Sequence, residues 1–421
     1  MNRQPALRRL VRGFDLRRAG PVALLSYTAA SGNLLAGVIT ARGLGPQDRG
    51  LVAVMVTSAA LVGVFSTLGT NVVYRAQAQS VSRPSLLQYA KVSLILGFFV
   101  GVPALVATAA FVGVLVDPRA WTPSGVALLC GFGIVNFAWF QSSEAMRAHG
   151  GMRRAATFDV IGSWSQFLGV AVLALLEAVT VQFVLSIYIC SFAVQFLASA
   201  SYLRVHRVGA SRDVGEEWRV RHLLAAGPKY LGFHFGQDLV YRLDRILLGA
   251  LSTTQAVGLY VIAATPAELM RRPVLAVAQY AMLDASSARV EFFKLLKRAA
   301  VWTMALLALC LVGWPLAPMA ISVIYGPEYS GAVDPFRILM LAQVALVPYL
   351  IFSRALAGAR QGISSSVSAL VGLVLLVTLG VLLMPTWGAN GAALACLAAF
   401  GSMSLLSGLL LWRGRADKRG S

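Results

Sequence analysis

A chain of 421 residues that is 58% hydrophobic and only 13% charged, with a mean hydropathy of +0.73, is not an ordinary soluble domain, in which apolar residues make up roughly 45–50%. Apolar runs of about 20 residues, enough to cross about 30 Å of hydrocarbon as a helix, recur from end to end without barrel-type alternation. The net charge of +19 would point a soluble protein toward nucleic acid; in an all-α integral membrane protein its meaning lies in its placement, and nucleic acid is excluded as a partner.

Twelve spans are predicted in chain order, near residues 19–41, 50–73, 89–115, 123–147, 155–177, 179–204, 223–251, 256–282, 297–325, 331–357, 361–384 and 388–412. Ahead of the first, Leu7, Leu10, Val11 and Phe14 recur at helical spacing among arginines, the pattern of an amphipathic helix lying on a membrane surface. Residues 286–298 read the same way. The N-terminus has no cleavable signal pattern. Residues 205–222 form the one sustained polar interruption, a linker between a half comprising residues 1–204 and a half comprising 223–421. Lysine and arginine crowd alternate span ends, and the opposite ends hold only Arg42, Arg49, Arg119 and Arg337. By the positive-inside rule both termini are cytoplasmic. Cys130, Cys190, Cys310 and Cys396 lie in apolar runs without metal-ligand spacing and read as small buried hydrophobes.

The halves read as repeats. "GLGPQDRGLVAV" at 43–54 and "LSTTQAVGLYVI" at 251–262 align without a gap at an offset of 208, each a short loop entering a helix through Gly-Leu. The match pairs spans 1 and 2 with spans 7 and 8, as in duplicated transporters.

Span 7 is the anomaly. It carries Lys229, His234, Asp238, Arg242, Asp244 and Arg245. Facing lipid, its five formal charges would cost about 12–18 kcal/mol against roughly 4–7 gained from its aliphatic and phenylalanine side chains. As a continuous helix it puts His234, Asp238, Arg242 and Arg245 on one face, which must look away from lipid. Two readings stand: internal salt bridges that staple the helix, Asp238 to Arg242 above all, or a wet cavity lined by this face. Span 8 repeats the theme, with Glu268 three and four residues before Arg271 and Arg272, and with Pro266 and Pro273 predicting a kink. Together Lys229, Arg242, Arg245, Arg271 and Arg272 outnumber Asp238, Asp244 and Glu268, an excess suited to an anionic cargo gripped by guanidinium forks. Glu144 and Asp159 read as local partners of Arg147 and Arg154. Polar Asn33, Thr40, Asn71 and Tyr74 on spans 1 and 2 read equally as cavity groups or as interhelix bonds. No nucleotide fingerprint, catalytic motif or metal motif occurs, so the chain reads as a non-enzyme.

"ARGLGPQDRGLVAV", "LDRILLGALSTTQAVGLYVIA", "IYGPEYSGAVDPFRILMLA" and "WGANGAALA", in this order along the chain, resemble the polysaccharide-transporter (Wzx-type) branch of the multidrug/oligosaccharidyl-lipid/polysaccharide (MOP) flippase superfamily. The resemblance implies two six-helix bundles around a central cavity lined by spans 1, 2, 7 and 8, in a bacterial plasma membrane. It implies export of a polyprenyl-diphosphate-linked oligosaccharide by alternating access, alongside glycosyltransferases or a polymerase of the same pathway. It adds Arg42 and Arg49 to the candidate substrate-binding residues Lys229, Asp238, Arg242, Arg245, Glu268, Arg271 and Arg272. No cofactor is implied, and coupling to H⁺ or Na⁺ through Asp238 or Glu268 stays open. The rival readings are a MATE-type drug or cation exporter, expected to have a carboxylate-dominated cavity, a membrane glycosyltransferase or polymerase, and a membrane scaffold for glycan assembly.

Overall fold

Backbone groups in hydrocarbon must be paired within their own segment, and every regular element among the described residues is accordingly helical. The computed structural model describes residues 16–77, 85–205, 223–225, 227, 238–275, 277–278, 292–358 and 362–420. The Leu7–Phe14 segment, residues 206–222 of the linker, Lys229, His234 and residues 286–291 lie outside them. In chain order the helices are α1 (Leu16–Ser66), α2 (Thr70–Gln77), α3 (Leu86–Leu115), α4 (Pro123–Ala148), α5 (Met152–Leu175), α6 (Val181–Val205), α7 (Leu243–Leu251), α8 (Thr254–Leu269), α9 (Phe292–Tyr325), α10 (Val333–Gly358) and α11 (Gly362–Gly420).

Eight of these are long and apolar enough to cross a bilayer. Spans 3–6, 9 and 10 each coincide with one helix. Spans 1 and 2 are joined in α1, and spans 11 and 12 in α11, each across a kinked glycine with non-helical backbone: Gly45 at φ 71° and Gly388 at φ 51°. At the first kink Pro46 follows Gly45; a residue before proline is pushed out of the α region, and only glycine takes a left-handed φ without strain. Local signals also start the helices. Ser85 and Gln88 form a reciprocal capping box at α3, Thr122 caps α4 ahead of Pro123, and Thr253 caps α8.

Among the described residues, span 7 contains α7 of nine residues and span 8 contains α8 of 16, and each is interrupted by a turn. The chain turns at Tyr241–Arg242 before α7 and at Met270–Arg271 after α8. Pro273 accounts for the second turn, because it cannot donate to the Leu269 carbonyl and its ring crowds that group.

The helices pack chiefly as α1 on α5, α4 on α6, α9 on α10 and α10 on α11, with α1 against α8 as the broad seam between N-terminal and C-terminal elements. The aligned loops meet at this seam. A Cβ on Gly50 would lie 1.8 Å from the Thr254 carbonyl oxygen, and one on Gly258 would lie 1.9 Å from that of Pro46. Gly258 is Gly50 displaced by the repeat offset, as Thr254 is Pro46, so the contact is reciprocal. That reciprocity is what a two-fold relation between the aligned segments predicts.

Large apolar side chains such as Phe98, Phe99, Val114, Leu175, Leu311 and Met319 are exposed on the outer helix faces. In a multi-pass membrane protein that is the face presented to lipid. Cys310 and Cys396 are buried as expected, but Cys190 is exposed on α6. An apolar run predicts burial away from water, and hydrocarbon meets that condition as well as protein does.

Candidate functional site

The turn at Tyr241–Arg242 corrects the expectation of one continuous charged face. Asp238 lies before the turn, Arg242 stands at the N-cap of α7 with φ −134°, and Arg245 follows in its first turn. Interrupting the helix loses a few backbone hydrogen bonds worth about 1 kcal/mol each, and it frees the two arginines to aim differently from their neighbours.

Asp244 turns inward. It is buried, accepts a hydrogen bond of 2.5 Å from the Tyr260 hydroxyl and another of 3.4 Å from the Cys396 thiol, and caps the Arg245 N–H at 2.8 Å. It thus ties α7 to α8 and α11. The other face gathers charge: Arg245 Nη2 donates to Glu268 Oε1, and Arg271 Nη2 stands 3.5 Å from Glu268 Oε2. Arg271 also lies over the Tyr241 ring, 4.8 Å from its centroid. Arg242 is within electrostatic reach of Asp238, Arg245, Glu268 and Arg271. Arg242, Arg245 and Arg271 therefore share Glu268 and Asp238. The side chains are partly exposed, 16% of Arg245, 29% of Glu268 and 17% of Arg271. Arg245 Nε is buried with no hydrogen-bond partner among the described residues. Such a spare donor, beside a partly exposed guanidinium pair, suits an anionic oxygen.

The cluster extends across the seam, which the sequence reading missed. Arg272 Nη1 donates to the Ser26 carbonyl of α1 at 3.3 Å, and Arg272 interacts electrostatically with Tyr27 and with Asp159 of α5. Asp159 accepts from Arg147 Nη2 at 3.1 Å, Arg147 reaches Glu144 at 2.9 Å, and Glu144 reaches Arg75 at 3.6 Å. Arg154 does not join this chain; it lies over the Tyr202 ring at 4.6 Å. Asp159 Oδ1 is buried with no hydrogen-bond partner among the described residues. The local pairing read from the sequence holds for Arg147, which bridges both Glu144 and Asp159, and fails for Arg154; the partner the chain order could not show is Arg272.

Arg42 and Arg49 stand elsewhere. Arg42 donates to the Ile324 and Val323 carbonyls at 2.9 and 2.5 Å, capping the end of α9. Arg49 is buried near Tyr325 and Tyr329. Both are at the Gly50–Gly258 end of the seam, apart from the Glu268 group. Of the spans 1 and 2 polar groups, Thr40 bonds back to the Ala36 carbonyl at 2.6 Å, and Tyr74 pairs with His149 at 2.8 Å.

No family model matches the chain, and no curated protein matches it in sequence. Solved structures do match. The lipid II flippase MurJ in an inward closed conformation superposes with a TM-score of 0.73 at 12% identity, covering 92% of this chain and 86% of that one. A MOP-superfamily transporter from Pyrococcus furiosus, described as having a binding pocket of reversed polarity that suggests a different function, gives 0.69 at 17% identity over 96% of each chain. A multidrug resistance MATE transporter in its outward-facing conformation gives 0.68 at 17% identity, also over 96% of each. The chain has the fold of the MOP-superfamily transporters, shared by MATE multidrug transporters and the MurJ flippase.

Proposed function

We propose that this protein is a flippase that exports an anionic polyprenyl-diphosphate-linked oligosaccharide for cell-surface polysaccharide synthesis. It acts in a bacterial plasma membrane as twelve spans in two six-helix bundles with both termini cytoplasmic. The observation that carries the reading is the gathering of Arg242, Arg245, Arg271 and Arg272 around Glu268 at the interruptions of α7 and α8. In a low-dielectric setting such guanidiniums bind diphosphate oxygens bidentately. The oligosaccharide and diphosphate would occupy the arginine site while the prenyl tail stays in lipid, and no covalent chemistry is required. Lys229, Arg42 and Arg49 complete the proposed cargo path. Pocket polarity varies within this fold, so the sign of the site's charge is the property that sorts cargo.

With an inside-negative potential, outward movement of each negative charge is favoured by about 2.3 kcal/mol per 100 mV. Potential alone therefore suffices as a driving force, and H⁺ or Na⁺ coupling through Asp238 or Glu268 is the alternative. Reconstituted protein with a fluorescent polyprenyl-diphosphate glycan and an imposed potential, without ion gradients, tests this. Flux that disappears in Arg245→Ala is expected; wild-type flux only with an added ion gradient would replace the potential-driven version. Absence of flux under every condition, with drug cations transported instead, would reject the cargo.

The second reading, a MATE-type cation exporter, is favoured by Asp159, whose buried Oδ1 lacks a partner among the described residues. An unpaired carboxylate oxygen suits a cation as the spare Arg245 Nε suits an anion.

A further inference from the structure

A second opening lies on the outer wall of the N-terminal elements. α3, α4 and α6 part there to leave a groove of about 980 Å³ over the second limb of α1, and none of the Glu268 cluster lines it. It follows α3 from Ser85 to Leu105, about 30 Å at 1.5 Å per residue, comparable to the hydrocarbon thickness of a bilayer.

Three observations define what it would hold. First, α3 makes a π turn at Gly97–Gly101, a local widening that recurs at functional sites, and both ends of that turn line the groove. Phe98, which lines the groove, and the neighbouring Phe99 are 68% and 71% exposed. Second, the polar groups in its wall are spent within the protein: Tyr89 donates to Gln141 Oε1 at 2.8 Å, Gln141 Nε2 donates to Ser93 Oγ at 2.7 Å, and Ser93 donates to the Tyr89 carbonyl at 2.9 Å. The wall therefore offers hydrocarbon contact and little to a sugar or headgroup. Third, among the described residues that line it, charge stands at one end, where exposed Arg204 of α6 lies at the same end as Ser85.

A long apolar trough with a guanidinium at its mouth matches an amphiphile with an anionic head. We propose that this groove is a binding site for an anionic phospholipid, its acyl chain along α3 and its phosphate at Arg204. The site is separate from the cargo site, and the inference does not depend on the cargo.

The test is native mass spectrometry of the purified full-length protein with phosphatidylglycerol or phosphatidylethanolamine of identical chains. Wild type is expected to retain phosphatidylglycerol about fivefold better, the equivalent of about 1 kcal/mol for one basic residue near an anionic head. Arg204→Gln should abolish the preference while leaving chain binding. Ala138→Phe on α4 and Ala200→Phe on α6, made separately so that one misfolded variant does not end the test, should each remove both lipids. Leu175→Phe, on the exposed end of α5, should change nothing. Equal retention of the two lipids by wild type, or retention by the filled variants, would overturn the proposal. So would displacement of phosphatidylglycerol by equimolar polyprenyl phosphate, which would assign the groove to a prenyl chain.

Discussion

The seam between α1 and α8 is held differently at its two ends. Where the aligned loops meet, backbone touches backbone: Gly50 lies on Thr254 and Gly258 on Pro46 with no room for a methyl group. The Tyr329 hydroxyl adds a bond of 2.8 Å to the Ala41 carbonyl, and Arg42 caps α9. About 20 Å away at 1.5 Å per residue, just past the end of α8, Arg272 reaches Ser26 and faces Asp159 through long side chains that are partly exposed. Apposed backbones are held by short-range packing that is all or none. Guanidinium and carboxylate groups part gradually and can be rehydrated. The difference makes the glycine end a seal and the arginine end a place where an anion can compete for partners.

The largest effect that would break this contrast concerns the arginine end. Arg271→Ala removes a charged contact worth about 1.5–3 kcal/mol, and is expected to lower cargo flux by roughly 10- to 100-fold with the melting temperature little changed. Arg271→Lys should recover only part, because one ammonium lacks the planar fork. Full flux in both variants would take the cluster out of transport.

At the glycine end, Gly50→Val or Gly258→Val should destabilise the protein by about 1–3 kcal/mol through overpacking, read as a lower melting temperature in detergent. The double variant should fall short of the sum, since both strain one contact. An unchanged melting temperature in both single variants would dissolve the seal.

Glu268→Gln sharpens the comparison, with an expected stability loss of about 1 kcal/mol, reduced because the carboxylate is partly exposed. Anionic cargo should bind at least as tightly as before. If flux of a drug cation disappears instead, the exporter reading gains.

The smallest effect is electrostatic and belongs to the glycine end. Arg119, in the loop between α3 and α4, bridges Asp117 at 2.8 Å and Asp48, beside the Gly45–Pro46 kink, at 2.8 Å. Burial raises the Asp117 pKa, but hydrogen bonds from the Arg119 side chain and N–H outweigh it and hold it below the ordinary 3.8. This stabilisation is present above pH 3.8 and is lost as pH falls through the lower folded value. With Arg119 half exposed it amounts to a few tenths of a kcal/mol. Asp117→Asn should therefore lower the melting temperature slightly at neutral pH and flatten its decline in acid. An unaltered acid profile would remove this brace.

Much of this was legible along the chain. Spans 3–6, 9 and 10 fall on single helices because an apolar run flanked by caps and prolines has one favourable state in hydrocarbon. The Gly45–Pro46 break and the Pro273 stop are local steric facts, and the 208-residue offset pointed to the glycines that touch. Span 7 was misread where it mattered: spacing put Arg242 and Arg245 on one helical face with Asp238, whereas the chain turns at Arg242.

The sequence by itself determined that this is a multi-pass helical membrane protein, where most of its helices begin and end, and that two apolar spans carry a cluster of charge. These are consequences of burial and backbone pairing, which act over one helix at a time. Only the tertiary structure decided that Asp244 is spent on Tyr260 and Cys396, that Glu268 draws in Arg245 and Arg271, and that Asp159 faces Arg272 across the seam. A buried charge takes the nearest partner in space, and that partner is set by how helices pack, not by how far apart residues stand in the chain.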